Sequence, residues 1–237
     1  MKIKIFQNDE QLYNEIKNHI ISEIRELPSF NLGLATGSTP EKLYLKLIEA
    51  YTSKEFDPSS IKTFNLDEYI GLEESHEASY HYYMQTKLFQ HIPFKGSHVP
   101  KSTGNPEENV KEYNKLLEEN PIDLQILGIG SNGHIAFNEP NTSFLETVHI
   151  ATLTEKTIID NSRFFNSIEE VPKTAITMGL KNIMNAKKII LIATGLNKAD
   201  AIFKTVKGEV TEKVPASILQ QHPNVTIYLD SEAASKL

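Results

Sequence analysis

Two patterns of apolar and polar positions alternate along the chain. Short β-rich runs recur at Lys2–Phe6, Leu32–Ala35, Lys62–Asn65, Leu124–Leu127, Lys188–Ala193 and Val225–Leu229. Several are apolar without alternation, the pattern of strands buried on both faces. Between them lie longer stretches with helical spacing. Gln11–Ile24 carries Leu12, Ile16, Ile20 and Ile24 on one stripe, and Pro40–Tyr51, Glu107–Glu119, Thr174–Met184 and Lys198–Val206 read as further helices. Thr39-Pro40 reads as a cap followed by a first helical residue. The connection from Gly71 to Lys101 is long and aromatic, with Tyr80, Tyr82, Tyr83 and Phe89, and predicts a helix over Tyr80–His91.

Strands alternating with helices predict an α/β fold: a Rossmann-like, open, mostly parallel sheet with helices on both faces. No linker, repeat or low-complexity segment interrupts the chain, so residues 1–237 read as a single domain. At 237 residues, 39% of them hydrophobic, the chain can bury an ample core. A net charge of -7 argues against nucleic acid or an anionic membrane as partner. The chain has no cysteine, which excludes disulfides and thiolate chemistry and fits a cytoplasmic protein. The start, MKIKIFQNDE, turns polar after six residues and is not a signal peptide. No apolar run approaches the roughly 20 residues of a membrane span.

Open parallel sheets bind ligands beyond the carboxyl ends of their strands. The polar, glycine-rich turns of this chain fall there: "ATGSTP", "NLDEY", "GIGSNGHIAFNEP" and "ATGLNKAD" each follow or end a predicted strand. Four such turns at one rim predict one cleft. "LGLATGSTPEKL", Leu32–Leu43, offers free backbone N–H groups and hydroxyls at a helix start, which suits an anion as well as it suits a plain capped turn. It has neither the lysine of a P-loop nor dinucleotide GxGxxG spacing. Lys198 stands where a cation opposes the helix dipole, so it is either solvated or the complement of a bound anion. Arg163, beside Phe164 and Phe165, either snorkels from a core edge or makes a bidentate phosphate contact.

Asp67 and Glu68 end a β-run, and adjacent side chains on extended backbone point to opposite sides, so one of the two enters the cleft. Taken singly, Asp67 reads as a turn or helix cap, His134 as a core histidine satisfied by backbone, and Glu139 as a solvated loop residue. Read together, they supply a base, an imidazole that changes charge near neutrality, and a second carboxylate to orient it.

The segments "LGLATGSTPEKLY", "NLDEYIGL", "SYHYYM", "LGIGSNGHIAFNEP", "NSRFF", "VPKTAITMG" and "LQQHPNVTIYLD" resemble the glucosamine-6-phosphate deaminases over nearly the whole chain. The resemblance implies conversion of glucosamine 6-phosphate and water to fructose 6-phosphate and ammonia, in amino-sugar catabolism. It implies that Asp67 moves the C2 proton to C1, that His134 opens the pyranose ring, and that Glu139 partners that histidine. Asn132 falls where many relatives have Asp. Thr36, Gly37, Ser38 and Thr39 match the phosphate turn, with Arg163 and Lys198 as its charged contacts, and a stretch of about 152–178 matches a mobile lid. No metal and no organic cofactor is implied. The expected partner is the small-molecule substrate alone, in a monomer or small homo-oligomer. Relatives activated by N-acetylglucosamine 6-phosphate carry an Arg and a Lys where His149 and Ala151 stand, which implies an enzyme without that response. A lactone hydrolase of the 6-phosphogluconolactonase type is the competing enzyme reading, and a non-catalytic sugar-phosphate sensor the competing reading from another class.

Overall fold

The computed structural model describes residues 1–237, the side chain of Phe164 excepted. The described residues form a seven-stranded parallel sheet from β1 (Lys2–Phe6), β2 (Phe30–Leu34), β3 (Ile61–Asn65), β5 (Gly96–His98), β6 (Leu124–Leu127), β9 (Lys188–Ala193) and β10 (Val225–Asp230), ordered β1-β10-β9-β6-β2-β3-β5. The chain winds outward from β2 through β3 to β5, then returns to the other side of β2 and continues through β6 and β9. The sheet therefore reverses direction between β2 and β6, where such folds open a crevice. There Gly33 pairs with Gln125, and a Cβ on Gly33 would overlap the Gln125 amide, so glycine is what lets the two strands close.

Both faces are covered. Leu32 and Leu34 of β2, Leu124 and Ile126 of β6, and Ile190 and Ile192 of β9 pack with α1 (Asp9–Arg25) and α2 (Ser38–Thr52). On the opposite face, Phe64, Leu127, Ile189, Leu191 and Ile227 pack with α4 (Pro106–Glu119), α6 (Leu180–Met184) and α7 (Ala199–Lys207). Each fully buried side chain of this kind is worth about 1.5–3 kcal/mol, so the sheet is a rigid platform for its loops. Among the described residues no helix is long and apolar enough to cross a membrane.

The predicted strands all form, with ends shifted by one or two residues at β2, β3 and β10. Three helical expectations need correction. Helix α2 starts at Ser38 behind Gly37, whose φ of 104° only glycine adopts readily, so Thr39 and Pro40 lie inside the first turn rather than at the cap. The helix from Tyr80 holds α-geometry as α3 (Tyr80–Met84) and then widens into a π-turn over Gln85–Phe89.

The stretch Thr174–Met184 is not one helix. It is β8 (Thr174–Thr177) followed by α6. Ile176, Leu180 and Ile183 happen to fall at helical spacing. The break comes at Gly179, where a Cβ would overlap the backbone of Glu146 and Thr147. β8 instead forms the centre of a small antiparallel sheet between β4 (Asp67–Tyr69) and β7 (His149–Thr152). Only Leu66 separates β4 from β3, and its backbone ties both sheets: it donates to Leu34 at 3.2 Å and accepts from Met178 at 2.7 Å. The stretch 152–178 thus begins at the end of β7, contains α5 (Glu155–Asn161), and finishes on β8, where Ala175, Ile176 and Thr177 are fully buried.

Candidate active site

A cleft of about 590 Å³ opens at the carboxyl ends of the strands, over the β2–β6 reversal. All four turns singled out in the sequence reach it. Thr36, Gly37, Ser38, Thr39, Asp67, His134, Arg163 and Lys198 line it. Asn132 and Glu139 do not; they stand behind His134.

At one end, three tyrosine hydroxyls brace the turn after β2. Tyr44 donates to the carbonyl of Ala35, Tyr83 to that of Gly37 at 2.7 Å, and Tyr13 to that of Thr39 at 2.9 Å. Three carbonyls with partial negative charge are thereby occupied, which favours an anion at the start of α2. Lys198 faces this turn across the cleft. Burial pulls its amine below the ordinary value; Asp160 opposes this and the charges of Arg163 and Lys156 add to it. An anion seated among these cations restores the balance, whereas a solvated surface lysine needs none.

Asp67 and Glu68 separate as alternation on a strand requires. Glu68 is fully buried away from the cleft, where Oε1 accepts from the backbone N–H groups of Tyr69 and Tyr80, both at 2.9 Å. Its Oε2 accepts from the His81 N–H at 2.9 Å and lies 3.0 Å from His81 Nδ1. Glu68 is thus the anchor that holds the start of α3. Asp67 is 6% exposed and lines the cleft. Burial first, and the neighbouring Glu68 charge second, push its carboxyl up to about 8. A buried carboxyl without compensating donors is strongly basic once ionised.

The opposite wall carries the imidazole. His134 lies over Gly130, and a Cβ there would overlap the ring, so this glycine is a direct requirement of the histidine's position. Gly133, at φ 89°, turns the chain into it. His134 Nδ1 is enclosed and stands 3.5 Å from Glu139 Oε2, beyond ordinary hydrogen-bond length. Glu139 is fixed from both sides: Oε2 accepts from Asn132 Nδ2 at 2.9 Å, and Oε1 from Thr154 at 3.2 Å and from Thr157. Burial acts to raise its carboxyl, but the His134 charge and these hydroxyl and amide donors prevail and hold it at about 2. Asn132 does not touch the imidazole. Its Oδ1 accepts from the His134 backbone N–H at 3.1 Å, shaping the turn.

Tyr13, Tyr44, Tyr83, Thr154 and Thr157 were not legible as site residues. Their hydroxyls arrive from α1, α2, α3 and α5, and nothing in their local sequence distinguishes them from core tyrosines or helix-capping threonines. Asn161, the first residue of the segment "NSRFF", donates to the Tyr69 hydroxyl at 2.9 Å. Among the described residues no group of three His, Asp or Glu side chains converges as a metal site requires.

The fold and cleft define an α/β protein that brings a braced helix-start turn, a buried carboxyl and a histidine together at a sheet reversal. The chain belongs to the family described as glucosamine-6-phosphate isomerases/6-phosphogluconolactonase, whose model matches residues 7–228. A glucosamine-6-phosphate deaminase of Clostridium novyi is 52% identical, with all of both chains covered. A solved structure of a monomeric glucosamine-6-phosphate deaminase is 41% identical, superposes with a TM-score of 0.96, and is matched over the full length of both chains. The 6-phosphogluconolactonase of Trypanosoma brucei shares the fold at a TM-score of 0.84 and 19% identity, over 100% of this chain and 98% of that one.

Proposed function

We propose that this chain isomerises and deaminates glucosamine 6-phosphate, giving fructose 6-phosphate and ammonia. The observation that carries the reading is the unpartnered, buried carboxyl of Asp67, placed in one cleft with the imidazole of His134 and the braced turn at Ser38. The phosphate sits at Thr36–Thr39 with Arg163 and Lys198, so its binding energy orients the reacting carbons. His134 moves the proton between O1 and O5 that opens the pyranose. Glu139 fixes the ring and supports its charged form, a role that the amide of Asn132 cannot fill. The open-chain aldehyde acidifies the C2–H bond. Asp67 removes that proton, forming an enolamine, and returns it to C1. The resulting imine at C2 adds water and expels ammonia, leaving the ketone.

Lactone hydrolysis is less well supported, because it gives Asp67 no proton to move. Assay of ammonia release from glucosamine 6-phosphate tests the proposal; binding without turnover would favour a sensor instead. We place the reaction in cytoplasmic amino-sugar catabolism and the active species as a monomer, in keeping with the relative described as monomeric. His149 sits on β7 with its Nδ1 at 2.9 Å from the Thr147 carbonyl, and Ala151 is buried, which supports hyperbolic kinetics unaffected by N-acetylglucosamine 6-phosphate. The buried strand β8 confines any lid movement to about 153–173.

A further inference from the structure

The two carboxylate oxygens of Glu139 have different owners. Oε2 belongs to the turn after β6, taking the Asn132 amide at 2.9 Å and facing His134. Oε1 belongs to α5, taking the hydroxyls of Thr154, the residue that caps this helix, and Thr157, three residues on. Thr157 is 2% exposed and lines the cleft. The single hydroxyl proton of Thr154 is shared between Glu139 Oε1 at 3.2 Å and the Thr157 hydroxyl at 3.1 Å, so both threonines act as one clamp. The far end of α5 reaches the other half of the site. Asn161 donates to the hydroxyl of Tyr69, which closes the strand that Asp67 begins, and Arg163 lines the cleft two residues later. One two-turn helix, continued by a 3-10 turn over Ser162–Phe164, therefore spans from the carboxylate behind the histidine to the cation at the proposed anion-binding end.

We infer that Thr157 is a positioning residue for ring opening, and that α5 transmits occupancy of the phosphate turn at Arg163 to the orientation of Glu139. The inference rests on the deaminase reading of the site. When phosphate draws Arg163, α5 is fixed along its axis. The threonine clamp then holds Glu139 Oε1, leaving Oε2 directed at His134 Nδ1. Without the clamp, the carboxylate keeps its single tie to Asn132 and rotates about it. A hydroxyl bonded to a charged group in a buried site typically contributes enough to change a rate by about 10- to 100-fold. A substrate without phosphate leaves α5 unconstrained, so its handicap arises at ring opening as well as at binding.

The test is a double-mutant cycle on ammonia release with Thr157→Val, Arg163→Gln and the pair, with Thr157→Ser as the conservative control. Thr157→Val is expected to lower kcat about 30-fold with KM within about threefold of wild type. The serine variant should recover to within about threefold. In the pair, kcat should be close to that of the slower single variant, since both changes cut one linkage. Multiplying effects in the cycle, or a serine variant as slow as the valine one, overturns the inference. Should the valine variant lack a cooperative melt, Thr154→Val takes its place in the same cycle and is judged by the same two criteria. Wild-type enzyme that releases no ammonia would refute the deaminase reading itself; active wild type with multiplying effects refutes only the coupling.

Discussion

Asn132 and Glu139 form a hydrogen bond, Nδ2 to Oε2 at 2.9 Å, that a carboxylate at position 132 cannot make without a proton. The amide is thus suited to an ionised Glu139, held at about 2. Asn132→Asp sets two carboxylates against each other, and one must take up a proton. The variant is expected to keep turnover at pH 8 within about tenfold of wild type, while the titration of Glu139, followed by carboxyl NMR in labelled protein, moves upward by about one unit. An unmoved Glu139 titration would show that residue 132 does not face Glu139 in the folded protein.

Asp67 makes stability and activity depend on pH in opposite senses. Its folded value of about 8 lies far above the ordinary carboxyl value of 3.8, so the native state holds more protons than the unfolded chain between those limits. Stability contributed by the protonated form is therefore full below the unfolded value and is lost as pH rises toward 8, by up to about 1.4 kcal/mol per unit. As a base, Asp67 works only when ionised, so kcat/KM should climb with pH toward an inflection near 8. Asp67→Asn should melt higher than wild type at pH 8 and similarly at pH 4, and lose at least about 100-fold in turnover. Thermal melts at the two pH values and exchange of the C2 hydrogen with solvent deuterium check both halves.

Gly130→Ala introduces a methyl group into the volume held by the His134 ring. The imidazole must shift away from its place before Glu139. The expected result is a fall in kcat of about tenfold or more with KM little changed, because the turn proposed to hold phosphate is untouched. Steady-state kinetics with glucosamine 6-phosphate measure the split; a rise confined to KM would place His134 outside the chemistry.

Tyr83→Phe removes the donor to the Gly37 carbonyl and nothing else from the turn after β2. A single hydrogen bond of this kind is worth about 0.5–1.5 kcal/mol. KM should rise about two- to tenfold, inhibition by inorganic phosphate should weaken in parallel, and kcat should stay near wild type. A change in KM without a matching change in phosphate inhibition would detach Tyr83 from the anion-binding end.

Local sequence determined the parallel sheet, because strands buried on both faces and helices buried on one leave different periodicities over a few residues. It also determined the turns that hold Ser38, His134 and Lys198, since glycine with positive φ, as at Gly37, Gly133 and Gly195, can be read in place. Tertiary structure alone decided the small sheet. Thr174–Thr177 carries helical spacing by coincidence and becomes a strand only because β4 and β7 offer it backbone partners on either side. It also decided which of two adjacent carboxylates faces the cleft, by drawing Glu68 onto the amides of Tyr80 and His81 twelve and thirteen residues away. The same holds for the tyrosine hydroxyls on the Ala35–Thr39 turn and the threonine clamp on Glu139. A hydroxyl's partner is set by distances between elements far apart in the chain, and those distances exist only once the core has packed.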